Sequence, residues 1–256
     1  MISIDVNCDM GEGFANDADI MPFISSANIA CSYHAGDKDT MRRTVELALQ
    51  HQVAIGAHPS YPDRENFGRT DMLEKELQAS ALPGIITDQV CLLQEVCHEM
   101  GAVLHHVKPH GALYNRAARD HVVSALICET IRTIDPSLLL YGLSGSRTQQ
   151  EAVRSGLFFI NEVFADRTYQ DDGSLTPRIQ PGALIDEDAV ALQQVLQMVQ
   201  QGSVTAVSGK KVPIRAETIC VHGDGSHAVA FVKMIHQVFQ QNNIRIAAPD
   251  RNNPQI

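Results

Sequence analysis

The chain lacks the marks of several function classes. It has no Gly-x-x-x-x-Gly-Lys-[Ser/Thr] loop, so a P-loop of its own for nucleotide phosphates is excluded. No Cys-x-x-Cys pair occurs among Cys8, Cys31, Cys91, Cys97, Cys128 and Cys220, which argues against a zinc knuckle or a redox motif. Basic residues are scarce: 20 Lys and Arg against 30 Asp and Glu give a formal charge of −10, a surface that repels nucleic-acid backbones. No apolar run approaches the roughly 18 residues of a membrane span, and the N-terminus has neither a basic region nor an apolar signal core. The cysteines, scattered through apolar runs, read as small buried hydrophobes of a reduced, cytoplasmic protein. Cys220 alone shares parity with a strand-end histidine, His222, and is read as core rather than nucleophile.

What is present is organised around Asp5-Val6-Asn7-Cys8-Asp9-Met10-Gly11-Glu12. Strand side chains alternate, so Asp5, Asn7 and Asp9 share one face while Ile4, Val6, Cys8 and Met10 take the other. Further β-rich runs, near 27–31, 53–57, 103–108, 138–142, 157–162 and 217–221, alternate with helical stretches. Such alternation predicts parallel strands with helical crossovers, and 256 residues match the ~250 of one (β/α) barrel. The expected fold is therefore α/β: a single domain, residues 1–256, with seven or eight mostly parallel strands in a (β/α) barrel. An open doubly wound sheet is the competing architecture.

Helices are expected after Asp37, with Met41, Val45, Leu47 and Leu49 as the apolar stripe, and over 71–100 with a break near Pro83-Gly84. Others are expected over 116–133, 187–201 and 226–241. Ser208-Gly209-Lys210 reads as a hairpin turn, Ile244–Ala247 as a last short strand, and Leu143-Ser144-Gly145-Ser146-Arg147 as loop.

The strand endings carry the chemistry. The first offers Asp9 and Glu12, the second Asn28, His34 and Asp37, the third His58 with Arg64 and Arg69 beyond. The fourth offers His106, Lys108 and His110, the sixth Glu162, Asp166, Arg167 and, further on, Arg178, and the seventh His222 and Asp224. In a parallel barrel these endings surround one mouth, where convergent charge means a shared site rather than plain surface. Without a Ser-centred elbow or a Cys-His signature, the group favours general acid–base chemistry or a metal-bound water. Asp9, His34 and His58 have the donor types for a divalent metal, although no local His-Glu-x-x-His spacing joins them. Lys108 either has a lowered pKa between His106 and His110 or stays cationic and holds a carboxylate or oxyanion. An interior ion pair with Asp5 or Glu162 is the simpler alternative.

Longer motifs give a resemblance. Asp5 to Glu12, Ala27-Asn28-Ile29-Ala30-Cys31, His34-Ala35-Gly36-Asp37, Gly56-Ala57-His58-Pro59-Ser60-Tyr61 and Val107-Lys108-Pro109-His110-Gly111-Ala112-Leu113-Tyr114-Asn115 resemble the LamB/YcsF family. Glu162, Phe164-Ala165-Asp166-Arg167, Tyr169, Pro181-Gly182-Ala183 and Val221-His222-Gly223-Asp224 extend the match over nearly the whole chain. Two departures flank His34: Ser32-Tyr33 where the family has Gly-Phe, and Lys38 where it has Pro.

The resemblance implies a distorted (β/α) barrel related to the glycoside hydrolase and polysaccharide deacetylase superfamily. It also implies ATP-dependent opening of the lactam of 5-oxo-L-proline to L-glutamate, together with separate B and C subunits. Side-chain chemistry then suggests Asp9, with Glu12, as base or water-orienter, and Lys108 and His110 as oxyanion or phosphate stabilisers. Arg167 is expected to fork the substrate carboxylate, with Asn7, Asn28, Asp166, His222 and Asp224 completing the substrate site. A metal-dependent deacetylase or amidase acting alone, or a non-catalytic lactam-binding subunit, are the alternatives.

Overall fold

The alternation along the first strand decides how the barrel is filled. In the computed structural model, which describes residues 2–74, 77–223 and 227–251, this strand is β1 (Ile2–Met10). Val6, Cys8 and Met10 join the apolar core, while Asp5 and Asn7, equally buried, hydrogen-bond to polar groups of other strands. The polar face of β1 is thus the inside of the barrel, and its apolar face is covered by helices.

The strands following are β2 (Ser26–Ala30), β3 (Ala54–His58), β4 (Leu104–Val107), β5 (Leu139–Leu143) and β6 (Phe159–Phe164). An antiparallel hairpin, β7 (Ser203–Thr205) and β8 (Lys211–Pro213), stands apart before β9 (Thr218–Val221) returns to the sheet. The parallel order is β1-β2-β3-β4-β5-β6-β9, and β9 pairs back onto β1, so the sheet closes as a seven-stranded barrel and the open-sheet alternative is excluded. An eighth strand, β10 (Ile244–Ile246), pairs with the first residues of β1, where β9 has not yet joined it.

Register lines up the inward residues. Asp9 stands beside Asn28, Asn7 beside Cys220, and Glu162 beside Thr218. Gly56 neighbours His106 across the β3–β4 pair, and a Cβ there would lie 2.0 Å from the imidazole Nε2. That missing side chain makes room for His106 inside the barrel. His106 in turn stacks on Tyr141 at 4.1 Å.

The helices are α1 (Asp17–Ile20), α2 (Lys38–His51), α3 (Leu82–Glu99), α4 (Gly111–Arg119), α5 (His121–Ile134), α6 (Arg147–Ser155), α7 (Asp188–Gln201) and α8 (Ala228–Gln241). Asp37 caps α2, its carboxylate accepting from Thr40 N at 2.8 Å. The buried stripe of α2 is Met41, Thr44, Val45 and Ala48, spaced at one helical face; Leu49 falls off that face and is exposed. Pro83 does not break a helix but starts one, in the first turn of α3, where a missing N–H costs nothing.

The expected helix 116–133 is two helices, because Asp120 turns the chain and caps α5 through Val122 N and Val123 N. The glycine-serine turn after β5 leads directly into α6, with Ser146 as N-cap. That helix gives no apolar signal in the sequence because it buries Thr148, Glu151 and Ala152 rather than an apolar stripe. Among the described residues, no helix is long and apolar enough to cross a membrane.

Candidate active site at the barrel mouth

Among the described residues, most of the site's side chains project from the C-terminal halves of strands or from the loops after them. The floor of the mouth is a buried charge network. Lys108 Nζ lies 2.9 Å from Asp9 Oδ1 and 2.9 Å from Glu162 Oε1, and it also donates to Asn7 Oδ1 at 3.0 Å. Burial opposes the ammonium charge, but the carboxylates of Asp9 and Glu162 outweigh it and hold the Lys108 pKa well above its ordinary value. Lys108 therefore stays cationic, and the expected ion pair with Glu162 is present while Asp5 is not its partner.

Burial likewise works against the Asp9 carboxylate, yet His58 and Lys108 keep its pKa well below the usual range. Asn28 Nδ2 donates to Asp9 Oδ1 at 2.8 Å and to Asn7 Oδ1 at 2.8 Å. Asn7 and Asn28 are fully buried, so they position Asp9 and Lys108 from beneath. Cys220 Sγ is 3.2 Å from Lys108 Nζ, but burial pushes its thiol pKa well above the ordinary value and keeps it protonated.

One wall is built of imidazoles. His34 and His110 stack in parallel at 3.9 Å, with His58 edge-on to both. His58 Nδ1 donates to the Lys108 carbonyl oxygen at 2.7 Å, and His110 Nε2 donates to the Phe67 carbonyl oxygen at 2.9 Å. Phe67 holds that carbonyl from a left-handed conformation (φ 57°), which a bulky residue rarely adopts, and its ring stands edge-on to His34 and His110. Gly68 and Gly111, both at positive φ, let the loop after β3 close on His110; a Cβ on Gly111 would meet Gly68 O at 2.6 Å.

His34 Nδ1 is 3.0 Å from Ser60 Oγ, whose hydroxyl donates to Tyr61 O at 2.8 Å. Glu12 Oε1 faces this wall, 3.1 Å from His34 Nε2 and 3.5 Å from His110 Nδ1. Burial, then the charge of His58, lowers the His34 pKa to about 3 and the His110 pKa to about 2. His110 is thus neutral and tied to a carbonyl, which does not suit it to hold a phosphate or oxyanion. Glu12, His34, His58 and His110 each bring one donor atom within 4.8 Å of the others, the ligand types and proximity that a metal site requires.

The opposite rim is a different arrangement. His222 Nδ1 donates to Asp166 Oδ2 at 2.7 Å, and Arg178 Nη2 lies 3.1 Å from His222 Nε2. Burial lowers the His222 pKa, but the Asp166 charge and hydrogen bond prevail and raise it. The His222 ring lies 6.0 Å from that of Phe164, over which Lys108 Nζ sits at 5.9 Å, so this rim is continuous with the floor. Tyr114, which sequence reasoning did not single out, packs edge-on against Phe164 at 5.9 Å.

Arg167 corrects an expectation: its guanidinium donates to Thr176 O and Ala183 O, fastening the loop that carries Arg178. It is buried in that work, and the guanidinium beside the rim histidine is Arg178. Asp224 lies outside the described residues. Asp9, Glu12, His34, His58, Lys108 and His110 meet, as expected from their strand-end positions. Phe67 and Ser60, which orient the imidazoles, carry no signal in the sequence that sets them apart from ordinary loop residues.

A parallel barrel with a charged interior, whose acids and imidazoles gather at the C-terminal ends of its strands, has the architecture of a (β/α)-barrel enzyme. The model of the LamB/YcsF family matches residues 4–253, and the chain belongs to that family. It is 49% identical over 255 residues to a Bacillus cereus (strain AH187) protein named as the A subunit of 5-oxoprolinase, covering 97% of this chain and 100% of the relative. A second B. cereus protein of that name, from strain B4264, is 48% identical over 255 residues, with coverage of 97% and 100%. The crystal structure of the lactam utilization protein from Thermus thermophilus superposes with a TM-score of 0.91 at 35% identity, covering 96% of this chain and 100% of that one. A candidate cellobiose-phosphate cleavage protein from Enterococcus faecalis V583 shares the fold at a TM-score of 0.60 and 13% identity, with coverage of 96% and 97%.

Proposed function

We propose that this chain is the A subunit of a 5-oxoprolinase, opening the lactam of 5-oxo-L-proline to L-glutamate together with B and C subunits at the expense of ATP. The observation that carries the chemistry is the Asp9 carboxylate, kept ionised by Lys108 at 2.9 Å on the floor of the mouth. The names of the relatives supply the substrate class.

A five-membered lactam is a poor electrophile because amide resonance must be broken. Phosphorylation of the lactam oxygen by ATP would lift that barrier, and with no P-loop in this chain we assign the nucleotide chemistry to the partner subunits. Asp9 takes a proton from water as its oxygen bonds to the activated carbon. The carbon–nitrogen bond breaks as the proton passes to the departing nitrogen, which leaves an acyl phosphate, and a second water hydrolyses this to the carboxylate and inorganic phosphate. Lys108 has three N–H donors, already directed at Asp9, Glu162 and Asn7, so its part is to fix and charge the floor rather than to follow the reacting oxygen. To Arg178 we assign the bidentate grip on the substrate carboxylate that Arg167 cannot provide. A divalent cation bound by Glu12, His34, His58 and His110 would supply a Lewis acid beside Asp9, leaving these roles as they are.

The test is glutamate release from 5-oxoproline with and without ATP and the B and C subunits. Release only from the full set with ATP is expected; release by this chain alone without ATP would refute the reading. In the assembled complex, Asp9→Asn is expected to cut turnover by roughly 10²- to 10⁴-fold. Full turnover in that variant would leave the chain a lactam-presenting subunit.

A further inference from the structure

We infer that Glu12, His34, His58 and His110 form a binding site for one divalent first-row transition-metal ion of the zinc type. The positions of the ring protons point to it. Backbone carbonyls only accept, so His58 Nδ1 and His110 Nε2, facing Lys108 O and Phe67 O, both carry hydrogen. In neutral rings that leaves His58 Nε2 and His110 Nδ1 as lone pairs, and these two atoms face each other at 2.9 Å. Two nitrogens at that distance need a positive charge between or beside them, either a proton shared by the pair or a metal ion, and only a metal ion also takes up the near atoms of Glu12 and His34.

His34 repeats the pattern. With the Ser60 hydroxyl given to Tyr61 O, His34 Nδ1 donates to Ser60 Oγ and Nε2 presents its lone pair to Glu12 Oε1, 3.1 Å away. Each imidazole is therefore held by its remote nitrogen, as metal-ligating histidines are, and its near nitrogen is directed into one common space.

The spacing agrees. Ligands at ~2.0–2.1 Å around a tetrahedral zinc stand about 3.3 Å apart. The contacts here are 2.9 Å (His58–His110), 3.1 Å (His34–Glu12) and 3.5 Å (His110–Glu12). Three nitrogens and one carboxylate oxygen suit zinc, iron or cobalt better than calcium or magnesium, which prefer all-oxygen cages. The ligand set differs from the Asp9, His34 and His58 expected from sequence: Glu12 and His110 enter, and Asp9, engaged by Lys108, stands next to the site at 3.3 Å from His58 Nε2.

Metal binding here is independent of the lactam reading, and its test reads metal rather than glutamate. The full chain, purified without chelator, is analysed for metal by mass spectrometry. The stripped protein is then titrated with Zn²⁺ and with Co²⁺, the latter followed by its visible d–d absorption. One ion per chain is expected, with a Co²⁺ band of low-symmetry nitrogen and oxygen ligation. His110→Gln and Glu12→Gln should each weaken binding by more than about tenfold with an unchanged circular dichroism spectrum. Ser60→Ala keeps every ligand and removes the hydroxyl that accepts from His34 and donates to Tyr61 O; a loss of roughly 10- to 100-fold is expected from it. A chain that takes up neither ion, or binds them equally well in all three variants, would overturn the site.

Discussion

The two sides of the mouth use histidine in opposite ways. His34, His58 and His110 have their remote nitrogens tied to carbonyl or hydroxyl oxygens, and burial drives His34 and His110 toward the neutral form. His222 is tied to a carboxylate, Asp166, which draws it toward the imidazolium. The same side chain is backed by an uncharged oxygen on one wall and by a carboxylate on the other, and the charge of the atom behind it sets the direction in which its pKa moves. Between them the floor keeps Asp9 ionised through Lys108.

The largest expected effect comes from removing that floor. Lys108→Met leaves the Asp9 and Glu162 carboxylates buried beside no ammonium, and a loss of about 3–5 kcal/mol in urea unfolding is expected. A variant as stable as the parent would mean that the two walls do not share a common electrostatic base. Next, Gly56→Ala forces a methyl into the His106 ring, and a cost of about 1–3 kcal/mol is expected in the same measurement.

The rim can be converted toward the behaviour of the wall. Asp166→Asn should lower the His222 titration midpoint, followed by NMR of its ring protons; an unmoved midpoint would show that Asp166 does not set its charge. The sign for stability follows. His222 has a folded pKa raised above 6.5, so its pairing contributes below that value and is lost as pH rises through the raised folded value. Asp166 has a folded pKa lowered from 3.8, so its share is present above 3.8 and lost as pH falls through the lowered value. The difference in melting temperature between parent and Asp166→Asn should therefore be widest from about pH 4 to 6 and shrink toward alkaline pH.

The smallest effect tests the loop under His34. Ser32 is held at φ 70°, a left-handed conformation that glycine adopts without the Cβ penalty, so Ser32→Gly should stabilise by about 0.5–1 kcal/mol in urea unfolding. The neighbouring departure is accommodated differently: Lys38, in the first turn of α2, pairs with Glu95 and Glu99.

Much of this site was legible because it depends on local rules. Alternation along β1 put Asp5, Asn7 and Asp9 on one face, and strand parity put His106 and Lys108 together. What could not be read was direction beyond the strand. Arg167 and Arg178 lie on one loop and have the same chemistry; only the closure of that loop decides which guanidinium becomes its fastening and which meets His222. Phe67 matters through its carbonyl, which any residue possesses. The buried face of α6 is made of Thr148, Glu151 and Ala152, so a search for apolar stripes passes over it although its polarity keeps a helical period.

The order of the residues by itself determined that a run of strands would end in acids and imidazoles, since side-chain alternation and helix caps are matters of a few neighbouring residues. Only the closed barrel decided their partners. Asp9 and Glu12 are three positions apart, yet one is held by the ammonium of Lys108 and the other faces His34 and His110. Between them Gly11, at φ 70°, turns the chain off the strand. Asn7 reaches Glu162 across 155 residues of sequence because β9 bridges β6 to β1. Such pairings are set by where backbone hydrogen bonding closes the ring, and no local rule contains that information.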